Sequence, residues 1–380
     1  MNILVVNYRD RMHPAAGGAE KHLHRIFSQI VEAGHKVVLF TTAFAGCKAR
    51  ETVDGIEVIR KGGDLLFQLT VAMNIRKLDR EFNFDVVVED LNKLPLFTPF
   101  LTKKPVVVQM HHLWRSSIFH EASFPIAFMV WAFERVIPWF YRKQPFVVVS
   151  PSTKYELEEI GIDEDRISVI YNGSDDVDPS QVVATEDVPS TPYFLWLSRV
   201  HRYKGIWTAL EAFEEFAENE NHPDVKLVVA GDGPLLKKIP AWLKERGLTE
   251  RVELLGFVTP SKKRALLQKA VALLQTSYKE GWGLTVVEAA RLGTTTIASY
   301  VPGLRDSVRN GETGLLFPVG DFHTCASEMD RLYSDDDLRT RLSAAAKSYA
   351  GEFRWDIAAE KTLDLLQDAV IERQVGGGNE

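Results

Sequence analysis

Short apolar runs, many of them β-branched, alternate with helical patterns along nearly the whole 380-residue chain. In the first half these runs are ILVVNY, KVVLFTT, DVVVED, PVVVQM, PFVVVS and RISVIYN. Each run is continuous, which is typical of strands that a parallel sheet buries on both faces. The segment EKHLHRIFSQIVEAG between the first two runs predicts a helix that ends at Gly34. The pattern therefore predicts an α/β fold with repeated β–α winding.

The rhythm breaks between Ser174 and Pro192, where the chain is acidic, carries three prolines and has no clear apolar period. A second series of strand-like runs then follows: YFLWLS, KLVVAG, VELLGF, VALLQTS, TTTIAS and TGLLFP. We predict two doubly wound, parallel-sheet, Rossmann-like domains at 1–175 and 193–354, joined by a linker at 176–192.

Composition excludes several classes of protein. The chain is 45% hydrophobic and 26% charged, which is ordinary for a globular protein. A formal net charge of -7 gives no global attraction to nucleic acid. The two cysteines, Cys47 and Cys325, form no metal spacing or disulfide framework, and the N-terminal stretch does not resemble a signal peptide. We expect a cytoplasmic protein, either free or at the inner face of the membrane.

Ligands of open parallel sheets bind beyond the carboxyl ends of the strands, so two such domains predict a site in a central cleft between them. Gly17 and Gly18 follow the first strand and open the first helix. Glycines at such a position let backbone N–H groups approach an anion at a helix N-terminus. A plain strand–helix turn explains these two glycines equally well.

Two cations mark the corresponding edge of the second predicted sheet. Arg199 follows the strand YFLWLS, and Lys204 lies five residues later, near the start of the next helix. A guanidinium fork and an ammonium group at a strand end suit the binding of a pyrophosphate. The alternative is a pair of solvated surface cations.

The stretch KEGWGLTVVEAARLG, from Lys279 to Gly293, combines a glycine-rich loop with a helix. Backbone groups there would meet phosphate or sugar oxygens. The residues concerned are Gly281, Trp282, Gly283, Leu284 and Thr285. Glu280 before the loop and Glu288 inside the helix would accept hydrogen bonds from paired hydroxyls. This arrangement favours a ligand with two hydroxyl-rich ends and a charged middle, such as a sugar nucleotide.

The stretch EGWGLTVVE, from Glu280 to Glu288, resembles the E-x7-E motif of the GT4-type retaining glycosyltransferases, which have the GT-B fold. Further segments resemble this family and occur in its order: GGAE, YNGS, SRVHRYKG, AGDGP, LLGFV, PGLRDSVRNGETGLLFP and EFRWDIAAE. The resemblance covers almost the entire chain. It implies two domains facing a central cleft and a final helix, at 355–373, that crosses back onto the N-terminal domain.

The resemblance also implies roles for the matching residues. Glu280 would bind hydroxyls of the donor sugar, Glu288 would bind the ribose, and Arg199 with Lys204 would neutralise the departing diphosphate. Backbone groups of three residues would contact the base: Gly256, Phe257 and Val258.

A histidine of the family lies near the anomeric centre of the donor sugar. In VVVQMHHLW, His111 matches it better than His112, and the choice between the two stays open. The implied activity is a retaining, metal-independent transfer of a hexose from a nucleoside-diphosphate sugar to a hydroxyl acceptor. That acceptor would be a glycan, a glycolipid or a polysaccharide precursor, with lipid-linked acceptors included.

Two other functions fit the same architecture: a sugar-nucleotide epimerase and a sugar-nucleotide-binding subunit without activity. The sequence names neither the base and sugar of the donor nor the oligomeric state. We expect no metal and no cofactor, because the D-x-D at 176–178 falls in the linker and the histidines of HLH, at 22–24, lie on different helix faces.

The segment 117–143 is rich in aromatic residues and carries three cations, Arg135, Arg142 and Lys143. A buried core helix has this composition, and so does a helix that docks on an acceptor or a membrane interface. Both interpretations stay open, and Pro138 is expected to kink or end the helix.

Overall fold

The computed structural model describes residues 1–92, 94–175, 188–219 and 222–376. By its internal contacts, the chain divides into two compact units. Unit 1 consists of the described residues of Met1–Arg115, Phe124–Gly173 and Trp355–Glu380, and unit 2 of those of Ser116–Ser123 and Ser174–Arg354. The short segment Ser116–Ser123 thus groups with unit 2, although the sequence analysis assigned it to the first domain. Most of the predicted linker, at 176–187, lies outside the described residues, and so does the D-x-D at 176–178.

The strands and α-helices of the described residues are numbered in chain order. The strands are β1 (Asn2–Val6), β2 (Lys36–Thr41), β3 (Arg50–Val53), β4 (Ile56–Arg60), β5 (Val86–Asp90), β6 (Val106–Met110), β7 (Phe146–Val148), β8 (Ile167–Val169), β9 (Tyr193–Leu197), β10 (Lys226–Ala230), β11 (Val252–Gly256), β12 (Ala272–Gln275), β13 (Thr296–Ser299) and β14 (Gly314–Phe317). The helices are α1 (Gly18–Glu32), α2 (Phe67–Phe82), α3 (Thr98–Leu101), α4 (Ile118–Glu121), α5 (Phe124–Tyr141), α6 (Pro151–Glu159), α7 (Ile206–Ala217), α8 (Ile239–Glu245), α9 (Pro260–Lys269), α10 (Leu284–Arg291), α11 (Leu304–Ser307), α12 (Phe322–Ser334), α13 (Asp336–Ala350) and α14 (Trp355–Gly376).

Unit 1 is built on one sheet with the strand order β3-β4-β2-β1-β5-β6-β7-β8. Neighbouring strands pair in parallel, except for the antiparallel hairpin of β3 and β4. All six runs predicted in this half form strands. The sequence analysis missed the hairpin, although its Asp54-Gly55 turn, with φ of 52° and 77°, carries the Asp-Gly signal of such turns.

Unit 2 is built on a parallel sheet with the order β11-β10-β9-β12-β13-β14. Phe194 and Trp196 on β9 pack into one apolar core, while Tyr193, Leu195 and Leu197 of the same strand pack into the core on the opposite face. Burial on both faces explains why the strand runs are continuous rather than alternating. The prediction of two doubly wound parallel α/β domains is confirmed.

The C-terminal helix α14 belongs to unit 1, where it packs mainly against α1. It begins at Trp355, as predicted, and extends to Gly376, three residues past the predicted end. Trp355 is 6% exposed, and its ring centroid lies 6.1 Å from that of His22 on α1. Helix α14 is therefore part of the packing of unit 1.

Helix α5 runs from Phe124 through Pro138 to Tyr141, so Pro138 does not end it. Its buried side includes Val130, Ile137 and Tyr141. Its other side leaves large apolar side chains exposed, including those of Phe124, Ile126, Phe128 and Trp139. Helix α5 thus packs into the core on one side and has exposed apolar side chains on the other. Among the described helices, none combines the length and the apolar composition that a membrane-spanning segment requires.

Candidate active site

The strand order of unit 2 changes direction between β9, the first strand of that sheet along the chain, and β12. This position is the topological switch point of the sheet. Strands β9 and β12 are neighbours in the sheet, but β9 is followed by β10 on one side and β12 by β13 on the other side. The carboxyl ends of β9 and β12 therefore flank a crevice. Arg199 follows β9, Lys204 lies in the turn that leads to α7, and Glu280 lies in the loop after β12. The topology thus brings together three residues that the sequence analysis selected separately.

Lys204 and Glu280 form a direct ion pair between the ammonium group and Oε1 of the carboxylate. Their side chains are 12% and 13% exposed. The same Oε1 accepts hydrogen bonds from Ser277 Oγ at 3.0 Å and from Gln275 Nε2 at 3.4 Å. A lysine and a carboxylate are therefore held side by side at the switch point, where a ligand could meet both.

Arg199 is exposed, and its guanidinium donates a hydrogen bond of 2.6 Å to the hydroxyl of Tyr203. The ammonium of Lys204 lies 4.9 Å from the centroid of the same tyrosine ring. Tyr203, only 8% exposed, therefore contacts both predicted diphosphate-binding cations. The sequence analysis missed Tyr203, although it lies inside the quoted segment SRVHRYKG.

Two glycines allow the backbone to approach the β12 loop closely. A Cβ on Gly205 would lie 1.9 Å from the carbonyl oxygen of Thr276. A Cβ on Gly303 would lie 2.6 Å from the carbonyl oxygen of Glu280 and 2.6 Å from the carbonyl carbon of Gly281. Neither position can hold a side chain without displacing this loop. Residues outside the predicted site therefore fix the backbone position of Glu280.

The loop then enters α10 at Gly283, whose φ of 88° favours glycine. Trp282 is 2% exposed and packs edge-to-face against Phe353, with ring centroids 4.9 Å apart, so its side chain is a structural anchor. The N–H groups of Leu284 and Thr285, in the first turn of α10, have no acceptor within the helix by position. These backbone donors, rather than the tryptophan ring, are suited to phosphate oxygens.

Glu288 projects from α10 towards α9, where its Oε2 lies 2.5 Å from the ammonium of Lys263. The carboxylate is 13% exposed and Lys263 is 31% exposed. The sequence analysis gave no role to Lys263, 25 positions earlier in the chain. Each of the two motif carboxylates is therefore paired with a lysine from another segment of unit 2.

The predicted base contacts begin at Gly256, the last residue of the edge strand β11, and continue to Val258 in the loop after it. Strand β10 separates β11 from β9. Gly256 has a φ of 63°, and its carbonyl accepts a 2.7 Å hydrogen bond from the N–H of Gly231. The side chain of Phe257 is 83% exposed. The carbonyl of Gly256 is thus already engaged by its neighbouring loop, while Phe257 presents an open aromatic ring.

In unit 1, Gly17 and Gly18 stand at the start of α1. The N–H of Gly17 donates a 2.7 Å hydrogen bond to the carboxylate of Glu20, which is 8% exposed. An internal carboxylate thus already binds one of the N–H groups that were expected to face an anion. The negative charge of Glu20 also offsets the positive end of the helix dipole.

The two adjacent histidines occupy different environments. His111 follows β6, is 7% exposed, and places Nε2 3.3 Å from Oδ1 of Asp90, the last residue of β5. Burial lowers the pKa of His111, but the carboxylates of Asp90 and, less strongly, Glu20 outweigh burial and hold that pKa above its ordinary value. His112 is half-buried and packs edge-to-face against Trp114 at 5.0 Å.

A second histidine, His22 on α1, contacts His111 edge-to-face, with ring centroids 4.9 Å apart. Its Nδ1 is hydrogen-bonded to Oδ1 of Asn172. Burial, reinforced by the charge of His111, lowers the pKa of His22 to about 3. The sequence analysis missed His22 and Asp90 as neighbours of His111. Asp90, at the end of the run DVVVED, was detectable because strand-end carboxylates meet at one edge of a parallel sheet.

Among the described residues, no group of three or more His, Cys, Asp or Glu side chains could hold a metal ion. The two histidines of HLH point to different partners: His22 to Asn172, and His24 to Asp54, whose Oδ2 is 3.0 Å from Nδ1.

Two family models match the chain. The model described as Glycosyltransferase Family 4 matches residues 16–178, and the one described as Glycosyl transferases group 1 matches residues 183–349. The chain belongs to the GT4-type glycosyltransferases. Its two parallel α/β units are those of the GT-B fold.

Individual relatives agree with this family. The chain is 28% identical over 247 residues to the D-inositol 3-phosphate glycosyltransferase of Corynebacterium glutamicum, a match that covers 60% of this chain and 59% of that protein. Sucrose-phosphate synthase from Thermosynechococcus elongatus has a similar structure, with a TM-score of 0.81 and 20% identity over 97% of this chain and 98% of that one. Anabaena HepE, solved in complex with UDP and glucose, gives a TM-score of 0.76 and 19% identity over 97% of this chain and 100% of that one.

Proposed function

We propose that this protein is a retaining glycosyltransferase that moves a hexose from a nucleoside-diphosphate sugar to a hydroxyl acceptor without a metal ion. The observation that carries the proposal is the ion pair of Lys204 and Glu280 at the switch point of unit 2, with Arg199 on the adjoining loop. A cation and a carboxylate in contact suit a ligand in which a phosphate adjoins a hydroxyl-bearing sugar.

In this proposal, Lys204 and Arg199 stabilise the negative charge that builds on the leaving diphosphate. The bond between the anomeric carbon and the diphosphate oxygen breaks, and its electron pair leaves with that oxygen. The acceptor hydroxyl forms the new bond on the vacated face, and its proton passes to the departing diphosphate. Removing one charge-stabilising donor of this kind typically slows a reaction by about 10²–10³.

Glu280 would accept hydrogen bonds from the donor sugar, while Glu288 would accept them from the ribose. Lys263 would hold the Glu288 carboxylate in place, since the two lie 2.5 Å apart. Gly256, Phe257 and Val258 would meet the base. The first N–H groups of α10 would bind phosphate, because that end of a helix is positive.

We assign the active-site histidine to His111 rather than His112. The Asp90 carboxylate favours the protonated form of His111, so the ring would donate a hydrogen bond to a sugar oxygen and not accept one. The His112 ring packs edge-to-face against Trp114, with ring centroids 5.0 Å apart, and we give it no catalytic role.

The partner surface in this proposal is the exposed apolar face of α5. Phe124 and Trp139 are 71% and 78% exposed, and Arg142 and Lys143 lie at the end of the helix. Such a face would contact the inner leaflet of a membrane and bring a lipid-linked acceptor within reach. Co-sedimentation with vesicles containing anionic lipid should fall when both aromatic residues are replaced by alanine. Equal binding of wild type and variant would remove this surface from the proposal.

The first experiment is a thermal-shift series with UDP, GDP, ADP and dTDP on wild type and on Glu288→Ala. A ligand at about 100 times its dissociation constant stabilises a protein by roughly 2.7 kcal/mol. UDP is the first candidate, since the similar structure of HepE was solved with UDP and glucose. A shift in wild type that is lost in the variant supports the ribose role. If none of the four nucleotides shifts the wild type, the donor site is refuted.

Turnover then separates the alternatives. With the matching sugar nucleotide, a transferase forms a glycosylated acceptor whose anomeric configuration equals that of the donor, as NMR can show, and EDTA has no effect. Lys204→Met should lower kcat/KM by about 10²–10³. Lys238→Met, at an exposed position of unit 2, is the control. An epimerised sugar with no transfer indicates an epimerase, and binding without turnover indicates a binding subunit.

A further inference from the structure

We propose that Glu121 and Tyr203 are positioning residues that place Arg199 and Lys204 for the diphosphate of the donor. The inference rests on the proposed function, because it concerns the same diphosphate site. Neither residue belongs to the set selected from the sequence. Glu121 ends α4 in the segment Ser116–Ser123, which lies more than 75 positions before Arg199 in the chain and groups with unit 2.

Tyr203 supports both cations at once. Its hydroxyl accepts the 2.6 Å hydrogen bond from Arg199, and its ring faces the ammonium of Lys204 at 4.9 Å. Arginine and lysine side chains have many rotamers, so unrestrained cations would lose conformational entropy on binding a phosphate. The nearly buried tyrosine restricts both side chains before the ligand arrives. It is therefore the shared support of the two diphosphate contacts.

Tyr203 itself lies in a single turn of 3₁₀-helix, Arg202–Lys204, which begins after His201 and ends at Gly205. The side chain of His201 does not cap this turn. The carboxylate of Glu121 does so instead: Oε2 accepts the N–H of Tyr203 at 3.3 Å, and Oε1 lies 2.8 Å from Nδ1 of His201. So short a turn has few internal hydrogen bonds, and an external cap fixes its geometry.

The negative charge of Glu121 allows an electrostatic role of this residue to be distinguished from a positioning role. Its carboxylate pairs with His201 and not with Arg199 or Lys204, so it leaves both cations available. If Glu121 acted only through its charge, it would repel a diphosphate, and removing it would tighten binding. If it acts by holding the turn, removing it weakens binding. The two effects have opposite signs.

The test measures the dissociation constant of whichever of UDP, GDP, ADP or dTDP binds wild type best, and that of the corresponding nucleoside. Glu121→Ala and Tyr203→Phe should each weaken binding of the diphosphate about tenfold, since hydrogen bonds that involve a charged group are worth that much. Glu121→Gln keeps an acceptor for the N–H of Tyr203 and should recover part of the affinity. Binding of the nucleoside should not change.

The matched control is Glu215→Ala. Glu215 also pairs with a histidine in unit 2, with Oε2 2.6 Å from Nδ1 of His323, but on α7 and α12 rather than at the turn. It should leave the affinity unchanged. Unaltered or tighter diphosphate binding in Glu121→Ala and Tyr203→Phe overturns the inference, as does an equal loss for the nucleoside. A wild type that binds no nucleoside diphosphate refutes the proposed function instead. Tyr203→Phe keeps the test decisive if Glu121→Ala does not fold.

Discussion

Substituting Gly303 would move the Glu280 loop without replacing a predicted site residue. Its φ is 82°, and an added Cβ would lie 2.6 Å from the carbonyl oxygen of Glu280. Ordinary contact begins at 3.4 Å, and 3.4 minus 2.6 leaves a displacement of about 0.8 Å for the loop. A shift of about 1 Å in a catalytic group can cost about 10² in rate. We expect Gly303→Ala to lower kcat/KM on the order of 10²-fold.

Gly293→Ala is the matched control, because Gly293 has a φ of 83° with no atom within 4 Å of an added Cβ. Both variants carry the strain of a non-glycine residue at positive φ. Only Gly303→Ala adds the collision with the loop. Both should therefore melt at a lower temperature, while Gly293→Ala keeps the wild-type kcat/KM.

The assay is donor turnover, with a thermal melt of each variant to show that it is folded at the assay temperature. Nucleoside-diphosphate affinity should fall together with activity, since the loop carries both Glu280 and the entry to α10. Equal kcat/KM values for Gly303→Ala and Gly293→Ala would refute the reasoning. That result would mean that the loop relaxes at no cost or takes no part in the reaction.

Three further predictions concern unit 1. Asp10, in the loop after β1, and Arg60, at the end of β4, form a fully buried bidentate ion pair at 2.5 Å and 3.0 Å. Asp10→Asn should therefore cost about 3–5 kcal/mol in urea unfolding. Glu81→Gln, which breaks an exposed pair with Arg50, should cost less than about 1 kcal/mol, and equal losses would contradict the argument. Asp90→Asn should lower the pKa of His111, as an NMR titration can show. In the wild type, the stabilising charge of His111 is present below the ordinary pKa of 6.5 and is lost as pH rises through the raised value, a slope that Asp90→Asn should remove. Burial lowers the pKa of His22 to about 3, so the wild type should lose stability as pH falls from 6.5 towards 3. His22→Asn should make that loss less steep. An unchanged slope would show that His22 is protonated in the folded protein.

The fold was largely predictable because its signals are local. A strand buried on both faces must be apolar at every position, whatever its neighbours are, so twelve strands could be located from their composition alone. The hairpin of β3 and β4 was missed because neither strand is a continuous apolar run: β3 is mostly polar with no buried residue, and β4 alternates buried and half-buried positions. There the turn residues Asp54 and Gly55 were the only strong signal.

The candidate site was predictable as a set of residues but not as an arrangement. Arg199, Lys204 and Glu280 were selected because each follows a predicted strand, and such residues collect at the carboxyl edge of a sheet. Their roles in catalysis remain predictions. Tyr203 and Glu121 carried no signal in the sequence, since a buried tyrosine and a half-buried glutamate resemble many others.

Local composition thus determined the strands, the helices and the candidate loops of this protein, because burial and backbone conformation depend on neighbouring residues. Tertiary structure decided which side chains meet: Lys204 with Glu280 across 76 positions, Lys263 with Glu288, and Asp90 with His111 rather than His112. These contacts follow from the order of strands in each sheet. That order depends on packing between distant segments, and no local pattern encodes it.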